Sequence, residues 1–171
     1  MVKYFVILRV TKRSLMAKIY KPFIFLLLVT FGVIHPATAQ ECNIIYVSPS
    51  GASSGTAGTK QNPASLLYGL GLVNAANNII YLRAGTYNIS NPVDLVSNVK
   101  IYGGFNPQWE KTNGSESIIS RDFFNVQSNP SRMVAVQGNG RSGFELHDIT
   151  IKTANAIGAG ISTYGLYLNG C

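Results

Sequence analysis

Asn78–Phe105, NIIYLRAGTYNISNPVDLVSNVKIYGGF, decides the fold. It holds two short strand signals separated by a turn-rich spacer. In Ile79–Arg83, Ile80 and Leu82 share one face while Tyr81 and Arg83 share the other. This run stops at Ala84-Gly85-Thr86, where glycine admits a left-handed backbone. In the second run, 98–102, Val99 and Ile101 point one way and Lys100 and Tyr102 the other, before Gly103-Gly104. Ile80 and Ile101 stand 21 positions apart. That distance is too long for a tight hairpin loop, and the spacer has no helical pattern. It suits one coil of a parallel β-solenoid, whose repeats run to ~20–50 residues. In such a fold inward Ile, Val and Leu stack into a continuous core, and Asn and Gly turn the corners.

Upstream, residues 44–47 read as a first strand and residues 48–60 as a polar loop rich in Gly, Ser and Thr. Gly51, Gly55 and Gly58 imitate a phosphate loop, but the G-K-[ST] ending is absent. Asn62-Pro63 can start a helix carrying Leu66, Leu67, Leu70 and Val73 on one face, although Gly69 and Gly71 weaken it. A short helix here would cover the open apolar end of the first coil. A partner-binding helix is the rival reading.

Downstream, residues 106–116 read as a loop around Pro107, Trp109 and Asn113-Gly114. Ile119 follows Ile101 by 18 positions and suggests the next strand. Residues 121–132 form another loop, and 133–137 an intervening face with Val134 and Val136 inward. Residues 144–153 read as one alternating strand with Ile149 and Ile151 inward. Leu168, 19 positions after Ile149, marks another coil. Asn169-Gly170-Cys171 then stops in the middle of the pattern, so a chain cut short at its C-terminus is expected.

The runs YVSPSGASSGTAGTKQNPASL, IIYLRAGTYNI and NVKIYGGF resemble the opening of secreted right-handed parallel β-helix proteins, the pectate-lyase-like superfamily. Within it they are most similar to bacterial surface proteins related to the chlamydial polymorphic outer-membrane proteins. Gly158-Ala159-Gly160-Ile161 resembles their Gly-Gly-Ala-Ile repeat but departs at its second and third residues. The resemblance implies an all-β, right-handed parallel β-helix with a short N-terminal capping helix. It implies fold more than activity, because that superfamily holds lyases, hydrolases, adhesins and structural proteins.

Residues 1–39 read as a secretory signal. Lys18 and Lys21 precede an apolar run from Phe23 to Ile34, and Ala37-Thr38-Ala39 is an A-x-A site that leaves Gln40 as the mature start. Met16 is an alternative initiator. The apolar run is shorter than the ~20 residues of a spanning helix. The net charge of +7 belongs to this leader: six of the 14 Lys and Arg precede residue 40, and all seven acids follow it. The mature balance gives no argument for a nucleic-acid partner. The expected division is therefore 1–39 signal, 40–77 first strand, polar loop and capping helix, and 78–171 the first coils. Cys42 and Cys171 would lie several coils apart, too far for a disulfide, which leaves Cys171 as a small core residue.

No catalytic, cofactor or metal constellation is apparent in the sequence. The mature acids are scattered, and Asp122 and Asp148, near Arg121 and Arg141, are the least poor lyase candidates against ordinary surface charge. His147, the only mature histidine, lacks the partners of a zinc site or triad. Tyr102 and Trp109 could stack on sugar rings, with Trp109 reading first as a loop anchor. The expected protein is a non-catalytic secreted or cell-surface segment, structural or adhesin-like, that contacts glycans or polysaccharide. A membrane would be met only through export or a missing C-terminal anchor. The alternative is the N-terminal part of a polysaccharide lyase or glycoside hydrolase whose site lies beyond residue 171. A β-sandwich module is disfavoured, because sandwiches turn every ~8–12 residues.

Overall fold

The computed structural model describes residues 43–171. The expected signal, its Ala37, Ala39 and Gln40 cleavage residues, and Cys42 lie outside them. The described strands form three all-parallel sheets wound as a β-solenoid of about four turns. The first sheet is β1 (Ile44–Ala52), β2 (Ile79–Arg83), β5 (Lys100–Phe105) and β8 (Glu145–His147), in that order. The second is β3 (Gly85–Ile89), β6 (Ser117–Arg121) and β9 (Ile149–Thr153). The third runs from β10 (Ser162–Asn169) through β7 (Arg132–Asn139) to β4 (Val93–Asp94).

Each inward position is stacked on its equivalent in the next coil. In the first sheet Ile45 pairs with Ile80, Ile80 with Ile101, and Ile101 with Leu146. The first three are buried. The 21-position coil between Ile80 and Ile101 is thus present as the sequence predicts. The coils on either side are longer, because their extra residues leave as loops. Asn43, Asn98 and Gly143, all with positive φ, turn the chain into β1, β5 and β8. This fits the expected use of Asn and Gly at corners.

The later sequence frame needs correcting. Ile119 is not the next residue of the Ile80–Ile101 column; it pairs with Tyr87 and Ile151 in the second sheet. Residues 144–153 are two strands in different sheets, broken at Asp148, whose φ of 53° turns the corner. Leu168 sits over Gly138, not over Ile149. Residues 133–137 do form an intervening face, as β7. β1 runs on to Ala52 through what reads as polar loop. Cys171 is exposed, its thiol directed at the Gly138 carbonyl, because no further strand lies over it among the described residues.

The capping helix is α1, Leu66–Gly71, starting after Ser65 and not at Asn62-Pro63. Leu66, Gly69 and Leu70 face β1. Gly69 is needed for this contact: a Cβ there would lie 2.5 Å from Val47 Cγ2. Gly71 meets nothing within 4 Å.

Arg121 is the unexpected core residue. It occupies the inward column Ile89–Arg121–Thr153 and is 1% exposed. Its guanidinium donates to the carbonyls of Val134, Asp122, Phe124 and Asn125 and to Asp122 Oδ1 at 2.7 Å. A residue read as the first of a loop is therefore the last of β6 and the inner clamp of the segment between β6 and β7. A buried guanidinium is tolerated only with its donors satisfied, and these oxygens satisfy them.

Two outcomes follow. Gly69→Ala should lower stability by about 1–3 kcal/mol through overpacking, whereas Gly71→Ala should raise it by up to ~1 kcal/mol, in urea denaturation of both variants. Arg121→Ala should cost on the order of 3–5 kcal/mol. Arg121→Met should recover only a minority of that loss, because it restores volume but none of the donors. Full recovery by methionine would show that packing, not hydrogen bonding, is what Arg121 supplies.

Candidate functional site

Directly beside the inward isoleucine column runs an outward aromatic one. Tyr46 pairs with Tyr81, Tyr81 with Tyr102, and Tyr102 with His147, one residue from each strand of the first sheet. The alternation of a strand requires this: if Ile45, Ile80, Ile101 and Leu146 point in, their successors point out. Ring centroids follow at 5.9 Å for Tyr46–Tyr81 and 6.1 Å for Tyr81–Tyr102, both edge-on. Tyr102 and His147 instead lie face to face, 4.6 Å apart and 10° from parallel.

The ladder is closed at one end and open at the other. The end of β5 and the loop after it cover the first two rungs. Phe105 stacks on Tyr81 at 4.2 Å, and Trp109 meets Tyr46 edge-on at 4.7 Å. Tyr46 is left 1% exposed. Asn106 shapes this loop by accepting the Gln108 and Glu110 amides on Oδ1. Trp109 itself adopts a φ of 66°, an uncommon conformation for a bulky residue. It is fixed by its indole N–H on the Lys60 carbonyl at 3.2 Å and by the Arg83 guanidinium 4.4 Å above its ring. Arg83 reaches the Pro107 carbonyl through Nη2, while its buried Nε has no hydrogen-bond partner among the described residues.

The open end is framed by charge. Lys100 and Glu145, paired in register beside Tyr102 and His147, form a 2.7 Å ion pair. Glu145 also lies 3.1 Å from His147 Nε2. Asp148 pairs with Lys111. The His147 side chain is 46% exposed. The Lys100 ammonium, and then His147, hold the Glu145 carboxyl below the usual carboxylate range, and Lys111 does the same to Asp148. Glu145 in turn raises the pKa of Lys100.

The structure gathers some sequence candidates and separates others. Tyr102 and Trp109 lie on the same face but do different things: Tyr102 is an open rung, and Trp109 covers the closed end. His147 joins Tyr102, a partnership that reading it as an isolated histidine misses. Asp122 and Asp148 have different partners. Asp122 is held below the usual range first by the Ser90 hydroxyl, then by the Phe124 amide and Arg121. No group of three metal-ligating side chains occurs among the described residues. The ladder has a plain sequence signal, since Ile-Tyr recurs at 45–46, 80–81 and 101–102. What the arrangement offers chemically is a half-exposed aromatic plane rimmed by fixed ions, a surface for recognition.

No protein-family model matches the sequence, and comparison with curated proteins and with solved structures gives no match. No helix among the described residues is long and apolar enough to cross a membrane.

The Lys100–Glu145 pair sets a pH window. Glu145 has a lowered pKa in the folded chain, so its stabilisation is present above the ordinary carboxylate range and lost as pH falls through the lowered value. Lys100 has a raised one, so its contribution persists until pH rises through that value. Thermal unfolding followed across the acid range should therefore show a shallower decline for Glu145→Gln than for the parent. Identical slopes would mean the pair is screened out by solvent.

Proposed function

We propose that the chain is an exported, non-catalytic β-helical segment of the pectate-lyase-like kind. It serves as a rigid surface element at the cell exterior and contacts glycans through the outer face of its first sheet. The stacked, half-exposed Tyr102–His147 pair carries this reading. A sugar ring presents an apolar face of C–H groups and an equatorial rim of hydroxyls. The first suits an aromatic plane, and the second suits fixed ions such as Lys100, Glu145 and Asp148 at its edge. The open rungs, Tyr102 and His147, stand one strand spacing of ~4.8 Å apart, a platform for one sugar ring of an oligosaccharide whose further rings lie beyond the closed end. The sheet is already rigid, so little ordering cost falls on binding. The enzyme alternative places its site beyond residue 171; a separate enzymatic reading within the described residues draws on the Glu145–His147 pair, which offers a proton-transfer group beside the same platform.

An oligosaccharide array followed by calorimetry tests this. Neutral or mildly acidic linear oligosaccharides should bind, and Tyr102→Ala and His147→Ala should each weaken binding by about tenfold. Leu67→Lys, on the exposed side of α1, should leave it unchanged. Binding that survives both ring deletions would place the ligand elsewhere. Cleavage of the bound oligosaccharide, lost in Glu145→Gln, would decide for the enzyme.

A further inference from the structure

The first sheet has four strands and the second has three. The missing strand belongs to the first coil. β1 keeps register with β2 only over Ile44–Val47, and its second half bridges to Ala64 instead. Where the second coil continues into β3, the first coil supplies no neighbour. In its place lies a groove of about 550 Å³. Tyr87–Asn91 form one wall, Leu66, Leu67 and Tyr68 of α1 the other, and Pro49 and Ser53 close it below.

The strand along this groove has a free edge. Gly85 donates its amide to Glu116, and the Ile89 carbonyl accepts from Asp122, so Gly85, Tyr87 and Ile89 direct their backbone groups at β6. By alternation, the N–H and C=O of Thr86 and Asn88 point the other way, those of Asn88 on the groove wall and those of Thr86 one residue before that wall begins. Neither residue has a hydrogen bond on that side among the described residues. The N–H and C=O groups of a parallel edge, at two-residue intervals, are matched by another extended backbone. No lining residue carries a charge, and Leu67 offers a wall that is 58% exposed.

We propose that the groove between β3 and α1 is a docking site for an extended, uncharged polypeptide segment, which pairs with Thr86 and Asn88 as the strand the first coil does not supply. The free edge spans β3, Gly85–Ile89, which at ~3.3 Å per residue accommodates a strand of about five residues. Backbone pairing provides affinity, and the Leu67 wall selects an apolar side chain at alternate positions. The site is separate from the aromatic ladder, so it stands or falls independently of glycan binding.

The test is selection of a displayed library of random heptapeptides on the full chain. Uncharged peptides with alternating apolar residues should be enriched, and on binding the Thr86 and Asn88 amides should become protected from hydrogen exchange. Asn88→Pro removes one free-edge donor without touching the β3–β6 ladder, and should weaken binding roughly tenfold. Leu67→Lys, at an exposed helix position, should do the same and carries the test should the proline variant fail to fold. The proposal is overturned if no peptide is enriched, or if enriched peptides bind both variants as well as the parent. It is equally overturned if chitotetraose alone protects the two amides, which would make the groove a sugar subsite. Protection that rises with protein concentration alone would make it a contact between copies, and would also sink the proposal.

Discussion

Parallel pairing between coils ties every residue of one strand to a fixed partner in the next, because a slip of one position would turn the whole inward row toward solvent. The solenoid obeys this despite very unequal coils. Ile45 to Ile80 takes 35 positions, Ile80 to Ile101 takes 21, and Ile101 to Leu146 takes 45, yet all four residues stack in one column. Extra residues cannot be absorbed within a strand, so they leave between strands as loops. The burial of Ile80, Leu82, Val93, Val99 and Ile101 depends on that rule.

The same rule explains what could be read from sequence. The Ile80–Ile101 coil was legible because nothing is inserted in it, so chain distance and stacking distance coincide. The column then disappears from view, because the 106–116 and 121–132 segments interrupt the period before Leu146. Ile119, at a tempting 18 positions, belongs to another sheet. The 144–153 run looked continuous because a corner at Asp148 needs only one residue with positive φ and leaves the alternation almost undisturbed. Arg121 was opaque for a different reason. A charged residue where a strand gives way to a loop reads as part of the loop unless its acceptors are known, and these are mostly backbone carbonyls of that same loop.

The aromatic ladder was half legible. Tyr102 and Trp109 were identifiable as residue types suited to sugars, but their division of labour depends on a long-range return of the chain. The recurring Ile-Tyr pairs, followed by Leu-His, encode the ladder directly once the register is fixed. His147 then ceases to be a lone histidine, because its partner Tyr102 is 45 positions away in sequence and one strand away in space.

The insertion that hides the period also creates the surface. Without the 106–116 loop the outer face would be a uniform column of rings. The loop seals Tyr46 beneath Trp109, beside the Phe105 of β5 that stacks on Tyr81, and its Lys111 pairs with Asp148 near the other end. The ladder thereby acquires direction, closed toward the first coil and open at Tyr102 and His147. The first coil's departure from register does the corresponding work on the second sheet. β1 turns to Ala64 and α1 covers the core, so the end of the solenoid is capped, but the edge of β3 is not. Both surfaces arise where the repeat is broken: its regular part provides rigidity, and its departures provide the two surfaces for which recognition is proposed.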